Sequence, residues 1–393
     1  MTNKDFSEIT TFIRRHYNAA DGETVPLHAP TFHGNEKKYL EECIDTTYVS
    51  SVGAFVDRFE ADMARFTGAA GAVVTVNGTA ALHMALMLSG VAQGDEVITQ
   101  PLTFIATCNA IAYTGARPVF IDIDRATLGL SPDAMQAWLE VNADLDDKGN
   151  CIDRSTGARI SAAVVMHTFG QPARLAELEE VCKRWHINLV EDAAESVGSL
   201  YHGRHTGTIA PIGALSFNGN KTITTGGGGM LLFNDEAMAK KAKHLTTQAK
   251  VPHRWEFIHD AVGYNYRMPN INAALGCAQL EQLPHFIADK RLTADAYKRY
   301  FSDKWMKDVE FIAEPEGTRS NYWLNAILLP NRSARDAFLE YTNDHGVQTR
   351  PVWELMPRLD MWRGAVTDGI PVSREIADRL VNIPSGVVNA TAR

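Results

Sequence analysis

Residues 72–89 read AVVTVNGTAALHMALMLS, in which a β-branched run is followed by a glycine turn and then by a helical pattern. The same order recurs along the first half of the chain. Apolar runs occur at residues 72–76, 96–99, 118–123, 161–167 and 187–191, and helical stretches separate them at residues 80–89, 106–114, 132–141 and 175–185. Near-continuous apolar strands that alternate with helices are typical of a parallel sheet covered on both faces. The sequence therefore predicts an α/β fold with a mostly parallel sheet between helices.

The remaining patterns divide the chain into parts of unequal size. Polar residues at 142–159 interrupt the alternation, so we expect a surface excursion there, and a long helical pattern occupies residues 271–301. Further strands are expected at residues 213–217, 229–233, 325–329 and 347–350. We predict an N-terminal helix and arm (1–30), a large domain (31–270), and a linking helix with a smaller C-terminal α/β domain (271–393).

The composition excludes several classes of protein. Of the 393 residues, 38 are Lys or Arg and 47 are Asp or Glu, which gives a net charge of −9. We therefore expect neither nucleic acid nor an anionic membrane as a partner. The five cysteines are an odd number without a C-x-x-C pair, as in reduced cytoplasmic proteins without a structural zinc site. No secretory signal and no apolar run of about 18 residues occurs, so we expect a cytoplasmic protein.

The turn Asn77-Gly78-Thr79-Ala80 follows the first strand of the alternation and opens a helix. In open α/β sheets, ligands bind beyond the carboxyl ends of the strands. Glycine permits close backbone approach, and the free N–H groups of a first helical turn favour an anion. The turn is therefore a candidate phosphate cradle, although a simple helix N-cap explains the same residues.

Two further segments follow later strands. Asp192-Ala193-Ala194-Glu195 places two carboxylates after a buried strand, where one could hold a cationic ring nitrogen or complement a helix dipole; we expect no metal. Lys221 follows Ser216-Phe217-Asn218-Gly219-Asn220 and precedes four glycines. A desolvated lysine can form a Schiff base, whereas an exposed lysine before a flexible loop is the alternative. A phosphate cradle, an acid and a lysine, in this order, are together what pyridoxal phosphate requires.

The motifs that carry these groups closely resemble those of the DegT-family nucleotide-sugar aminotransferases, which are fold-type-I pyridoxal-phosphate enzymes. The resemblance extends from about Val25 into the C-terminal domain. Its most specific stretches are NGTAALH (77–83), EDAAE (191–195), SFNGNK (216–221) and GYNYRM (263–268). The last stretch has no function that its residues alone suggest, and a loop before the following helix explains it equally well.

The resemblance implies a role for each site residue. Lys221 would form the Schiff base and carry a proton between cofactor and substrate, and Asp192 would face the pyridine nitrogen. The phosphate would be bound by Gly78, Thr79, Ala80 and Ser216, and by Asn265 from the partner subunit of a homodimer. Phe104 would stack on the ring, where some relatives have Trp, or else be a core residue. Glu195 stands where many relatives have Gln, near the ring hydroxyl or the incoming amine.

The resemblance also implies the reaction and its substrates. L-glutamate would donate the amino group to C4 of a nucleotide-linked 4-keto-6-deoxy sugar. The N-terminal helix and the stretches VSSVG (49–53), SNYWLN (320–325) and RPVW (350–353) look most like the subgroup that acts on the UDP-linked N-acetylhexosamine substrate of bacillosamine and legionaminic acid synthesis. GDP-perosamine and dTDP-amino-sugar synthases share the core motifs, as do non-transaminating dehydratases and regulators. The expected substrate contacts are His167, Arg267, Tyr322 and Trp353. For His167 a core histidine is the alternative, and for Trp353 core packing is an even alternative.

Overall fold

A computed structural model describes residues 3–302 and 308–389 of the chain. The ends of the predicted N-terminal arm (residues 1–2) and of the predicted C-terminal domain (residues 390–393) lie outside the described residues, as do residues 303–307. The helices are α1 (Asn3–His16), α2 (Glu36–Asp45), α3 (Ala54–Thr67), α4 (Gly78–Leu88), α5 (Ile105–Tyr113), α6 (Pro132–Asn142), α7 (Leu175–Arg184), α8 (Glu236–Thr246), α9 (Asn270–Phe301), α10 (Arg332–Asp344) and α11 (Pro371–Arg379).

The strands are mostly short, with two to seven residues each. They are β1 (Gly71–Thr75), β2 (Glu96–Thr99), β3 (Arg117–Phe120), β4 (Ala143–Leu145), β5 (Cys151–Asp153), β6 (Ile160–Met166), β7 (Asn188–Asp192), β8 (Leu200–Tyr201), β9 (Arg204–His205), β10 (Ile212–Ser216), β11 (Gly229–Phe233), β12 (Lys250–Val251), β13 (Ile258–His259), β14 (Glu310–Phe311), β15 (Thr318–Arg319), β16 (Asn325–Leu328), β17 (Arg350–Pro351) and β18 (Leu380–Ile383).

The described residues contain a central seven-stranded sheet with the order β1-β11-β10-β7-β6-β2-β3. The neighbours from β10 to β3 are parallel, whereas β11 runs antiparallel to both β1 and β10. One face packs against α3 and α9 at the β1 end and against α6 and α7 at the β3 end. The opposite face is covered by α4, α5 and α8. The predicted mostly parallel sheet between helices is therefore confirmed.

A smaller antiparallel sheet, with the order β14-β16-β18-β17, lies in the C-terminal part. The N-terminal helix α1 packs on it, because Phe6, Ile9 and Ile13 share a buried cluster with Ile327 and Phe338. The long helix α9 contributes to this cluster at one end and to the large-sheet core at the other. The two sheets are thus connected by one continuous helix. The division into domains stays a proposal.

One local expectation differs from the structure, and two elements were not predicted. The stretch 142–159, expected as a surface excursion, is mostly exposed or half-buried, and it contains the hairpin β4–β5, in which Ala143, Cys151 and Asp153 are buried. The strand expected at 347–350 pairs only at Arg350 and Pro351, while Val347 forms an isolated bridge with Val25. The sequence analysis missed β18, whose four residues lie in the middle of the small sheet.

All five cysteines are buried, and none forms a disulfide. Within the described ranges, no helix is long and apolar enough to cross a membrane.

Candidate active site

A cleft of about 370 Å³ lies at the carboxyl ends of the parallel strands of the central sheet. Its wall brings together the three segments that the sequence analysis singled out. The lining residues are Asn77, Gly78, Thr79, Leu82, Phe104, Ala106, Met166, Asp192, Ala194, Glu195, Ser216, Asn218, Asn220, Lys221, Gly227, Gly228, Trp323 and Trp353. The described residues hold no group of three or more His, Cys, Asp or Glu side chains placed to bind a metal ion.

The amine of Lys221 lies between a carboxylate and an aromatic ring. Nζ is 3.1 Å from Oε1 of Glu195 and 4.0 Å from the ring centroid of Trp323. The Lys221 side chain is 11% exposed, so the amine is mostly removed from water but accessible from the cleft. The exposed-lysine alternative does not describe this position.

Glu195 is buried at the base of the cleft. Its Oε2 accepts a hydrogen bond of 2.9 Å from the main-chain N–H of Phe169, and Oε1 faces Lys221. Burial disfavours the charged carboxylate more than the amine of Lys221 favours it, which raises the pKa of Glu195 to about 7. The carboxyl group therefore changes charge near neutral pH, beside the amine.

Asp192 ends strand β7 and is buried. Its Oδ2 accepts a 2.7 Å hydrogen bond from Thr107 Oγ1, and its Oδ1 accepts one of 3.2 Å from the N–H of Ala194. The pKa of Asp192 is raised overall, because the effect of burial exceeds the opposite effect of these two donors and of the Lys221 amine. Two donors hold the carboxylate in a fixed orientation, as a partner for a cationic ring nitrogen requires.

The turn before α4 has the geometry of an anion cradle. Asn77 caps the helix, because its Oδ1 accepts a 2.8 Å hydrogen bond from the N–H of Ala80. The cap uses the Ala80 N–H, so the N–H groups of Gly78 and Thr79 are the ones left for a ligand in the first turn. A Cβ at Gly78 would lie 2.9 Å from Cβ of Ser216, so this turn leaves no room for a larger residue. The N-cap and the cradle are therefore compatible.

Two aromatic rings form the mouth of the cleft. Phe104 is 46% exposed and contacts Trp353 edge to face, with ring centroids 6.0 Å apart. Phe104 is consequently a surface residue of the cleft and not the core phenylalanine of the alternative. Trp353 also packs against Phe169, with centroids 5.4 Å apart.

Five predicted site residues do not line the cleft of this chain: Ala80, His167, Asn265, Arg267 and Tyr322. The N–H of Ala80 is used by the Asn77 cap. His167 is fully buried: Nε2 is 3.0 Å from Glu191 Oε2, and Nδ1 accepts from the N–H of Ala173. This geometry corresponds to the core-histidine alternative, because both ring nitrogens are occupied in the interior.

Tyr322 is also buried, and its hydroxyl oxygen accepts a 3.1 Å hydrogen bond from the N–H of Glu314. Burial raises the pKa of Tyr322 to about 12.

Asn265 is exposed, and its Oδ1 accepts a 3.1 Å hydrogen bond from Nε of Arg267. Asn265 and Arg267 thus lie side by side, outside the cleft formed by this chain.

The sequence analysis missed three residues that hold the site in place. Thr107 orients Asp192, Trp323 covers Lys221, and Asn321 donates through Nδ2 to the carbonyls of Glu195 and Val197. The stretch SNYWLN was noted as a family resemblance, but nothing in it indicated contact with the lysine. The contact between Lys221 and Trp323 can be recognised only in the folded structure, because the two residues are 102 positions apart in the chain.

The chain matches the DegT/DnrJ/EryC1/StrS aminotransferase family over residues 30–391. GDP-perosamine synthase of Escherichia coli O157:H7 is 37% identical over 361 residues, which cover 92% of this chain and 93% of that protein. The putative pyridoxal phosphate-dependent aminotransferase EpsN of Bacillus subtilis strain 168 is 35% identical over 366 residues, with 92% and 91% covered. The crystal structure of the aminotransferase TlmJ from Streptoalloteichus hindustanus has a TM-score of 0.82 at 30% identity, with 92% and 93% covered.

The chain therefore belongs to the DegT/DnrJ/EryC1/StrS aminotransferase family. It is a pyridoxal-phosphate-dependent sugar aminotransferase with the fold-type-I architecture. The cleft fits this cofactor on its own geometry: an accessible amine, a doubly hydrogen-bonded buried carboxylate and a glycine cradle surround one space. When bound, pyridoxal phosphate supplies an electron sink at its ring nitrogen.

Proposed function

We propose that this protein transfers an amino group from L-glutamate to C4 of a nucleotide-linked 4-keto-6-deoxy sugar. The observation that carries the proposal is the position of the Lys221 amine, within one cleft with Asp192 and the Gly78 turn. A lysine at this place can bond covalently to the cofactor and afterwards carry a proton to or from the substrate carbon. The family resemblance adds that certain members with histidine in place of this lysine are sugar dehydratases, so Lys221 favours amination.

The site residues take the following proposed roles. Asp192 keeps the ring nitrogen protonated, and Phe104 covers one face of the ring. The phosphate is bound by the first turn of α4, through the N–H groups of Gly78 and Thr79, and by Ser216, whose hydroxyl is on the same wall. Ala80, the third residue expected here, is part of this turn, but its N–H is used by the Asn77 cap. Glu195 lies where it can contact either the ring hydroxyl or the amine. Its raised pKa allows it to do so in the neutral form.

A homodimer completes the site in this proposal. Asn265 is exposed and does not line the cleft of its own chain, and in this proposal it acts on the phosphate in the site of a second copy. The neighbouring hairpin β12–β13 exposes large apolar side chains: Phe257 is 80% exposed and Trp255 69%, and Val262, which follows it, is 83% exposed. Surfaces of this kind are usual at subunit interfaces. Arg267, beside Asn265, would then reach the substrate from the same side.

The nucleotide of the substrate has two candidates, each supported by a different resemblance. Similarity to a GDP-perosamine synthase over almost the whole chain supports a GDP-linked sugar. The resemblance of the N-terminal helix, VSSVG and SNYWLN to the bacillosamine and legionaminic acid subgroup supports a UDP-linked N-acetylhexosamine. Both candidates present a C4 carbonyl to the same amine, so they differ in recognition and not in chemistry.

A panel assay tests the proposal. The purified protein is loaded with pyridoxal phosphate and incubated with L-glutamate and a GDP-, UDP- or dTDP-linked 4-keto sugar. The masses of the products are measured by mass spectrometry. We expect the GDP- or the UDP-linked sugar to show the mass change that corresponds to replacement of its carbonyl by an amine. Loss of water would instead identify a dehydratase. A loaded protein whose visible absorbance does not respond to any amino donor would contradict transamination altogether.

A further inference from the structure

A buried lysine on α9 hydrogen-bonds the segment that covers the active-site amine. Lys290 is only 1% exposed, although lysine is among the residues least often buried. Its Nζ donates to the main-chain carbonyl of Trp323 at 3.1 Å and to the main-chain carbonyl of Ser385. Both acceptors are peptide oxygens, so the ammonium group is bound to main chain and not to a carboxylate.

The burial of this ammonium group carries a cost. Removing a charged amine from water is unfavourable unless its hydrogen bonds are replaced, and burial lowers the pKa of Lys290 to about 7. An apolar side chain of similar length would fill the same space without that cost. The carboxylate of the adjacent Asp289 accepts hydrogen bonds from the N–H groups of Val388 and Asn389 instead. A lysine at position 290 therefore needs an explanation other than packing.

Trp323 is the residue that Lys290 connects to the site. Its main-chain N–H donates to Asn321 Oδ1 at 2.8 Å, and its indole Nε1 donates to the carbonyl of Asn220 at 2.6 Å. With the bond from Lys290, three polar groups fix the main chain and the ring of Trp323. The ring centroid then lies 4.0 Å from Nζ of Lys221, a cation–π contact.

We propose that Lys290 is a positioning residue, which holds the main chain of Trp323 so that its indole ring stays against the amine of Lys221. This inference rests on the proposed function in so far as Lys221 is the catalytic amine. Without the Lys290 bond, the Trp323 carbonyl is left unsatisfied in the interior, and the indole loses one of its three supports. The Lys221 amine then loses a defined neighbour on one side.

The imidazole of His28 is a further buried group affected by these lysines. Neither of its ring nitrogens has a hydrogen-bond partner among the residues that the structure describes. Its pKa is lowered strongly, chiefly by burial and further by the positive charges of Lys290 and Lys221. The structural link between Lys290 and Lys221 is the one through Trp323.

The competing explanation is that Lys290 only fastens α9 to the C-terminal segment through Ser385. Binding of pyridoxal phosphate to the apoenzyme, followed by fluorescence and by the circular dichroism of the cofactor band, separates the two. We expect Lys290→Met to weaken cofactor binding about tenfold and to reduce the dichroism of the band, and Lys290→Arg to recover most of both. Thr293→Val is the matched control, because Thr293 is a buried polar residue of α9 that contacts His16 instead. It should leave both signals unchanged.

A double-mutant cycle gives the decisive comparison. If Lys290 acts through the indole, Lys290→Met causes no further loss in a Trp323→Leu background. Additive losses, or a folded Lys290→Met protein with wild-type affinity and dichroism, would overturn the inference. If Lys290→Met does not fold, the Trp323→Leu single variant is the test. Wild-type cofactor binding in Trp323→Leu would also overturn the inference. A wild-type apoenzyme that binds no pyridoxal phosphate would instead refute the proposed function.

Discussion

Nζ of Lys221 lies 3.1 Å from Oε1 of Glu195, and both groups are at the base of one cleft. The pKa of Glu195 is raised to about 7, chiefly by burial. The carboxyl group is therefore neutral in mildly acidic solution and gains its charge as the pH rises through about 7. As a carboxylate it forms a salt bridge with Nζ of Lys221, and this contact competes with the bond that the same nitrogen must form to a carbonyl.

Glu195→Gln should bind pyridoxal phosphate more tightly than the wild type at pH 8, by about three- to tenfold, and equally well at pH 6. The amide resembles the neutral carboxyl group, so the difference appears only where the wild-type group is charged. Asp192 and Lys221 are unchanged in both proteins. Equilibrium titration of the two apoenzymes at both pH values measures the ratio. An affinity ratio independent of pH would show that ionisation of Glu195 does not matter for binding.

Replacement of Lys221 tests the covalent role directly. Lys221→Ala and Lys221→Arg should both lose the visible absorbance of the bound cofactor and at least about 10²–10⁴-fold in kcat, because neither can form the Schiff base. Lys240→Met is the control, since Lys240 is an exposed lysine of α8 paired with Glu236. Absorbance spectra and steady-state rates give the comparison. Wild-type turnover in Lys221→Arg would contradict the covalent role, because it would show that a positive charge at this position is sufficient.

Removal of the charge on Asp192 should slow the reaction more than it weakens binding. Asp192→Asn keeps the size of the side chain and can accept from Thr107, but it cannot hold a cationic ring nitrogen. We expect kcat to fall by about 10²–10³-fold while the cofactor still binds. Thr107→Val, which removes only the 2.7 Å hydrogen bond, should cost about tenfold or less. Equal losses in the two variants would mean that orientation, and not charge, is what Asp192 provides.

The cradle before α4 has no space for a methyl group. In Gly78→Ala the new Cβ would lie 2.9 Å from Cβ of Ser216, so the two segments must separate and the phosphate site widens. We expect cofactor affinity to fall about tenfold, with a smaller loss of thermal stability. Gly219→Ala is the matched control, because no heavy atom lies within 4 Å of a Cβ there. Equal affinities in the two variants would argue against a phosphate at this turn.

A buried carboxyl group away from the cleft should control stability against pH. Glu96 is 2% exposed on β2, and burial, reinforced by Asp153, raises its pKa to about 7. The pKa of Glu96 is higher in the folded state than in the unfolded state. Its contribution to the free energy of unfolding is therefore fully present below about pH 4.5 and is lost as the pH rises through about 7. Glu96→Gln should therefore be more stable than the wild type at pH 8, by roughly 1–3 kcal/mol, and equally stable near pH 4.5. Thermal unfolding at both pH values tests this, and a Glu96→Gln protein less stable at pH 8 would contradict it.

The sequence predicted the large sheet well for a physical reason. Strands buried on both faces are rich in apolar residues, so the apolar centres of β2, β6 and β7 are conspicuous between amphipathic helices. The hairpin β4–β5 was hidden, because its three buried positions stand in a stretch of mostly polar residues. The antiparallel placement of β11 was equally hidden, since a single apolar strand does not reveal the direction of its neighbours. β18 was missed, although β16, which is equally short and also contains an asparagine, was predicted.

The site divides in the same way. Lys221, Asp192, Ser216 and the Gly78 turn follow strands and could be found by position. Thr107, Trp323 and Lys290 could not, since each acts through a contact with a residue distant in the chain. His167 follows a strand as well, yet its ring turns into the core toward Glu191. Position after a strand therefore selects candidates, and the direction of the side chain decides among them.

The place of Trp323 just before β16 has a consequence for any dissection of the chain. One wall of the cofactor cleft is supplied by the segment that enters the small sheet, and α9 supplies the lysine that holds it. A fragment cut off before α9 would retain Lys221 and Asp192 but would leave the amine open to water on the side of the indole. The two sheets thus share the cleft, and a truncated large sheet would be an incomplete catalyst even if it folded.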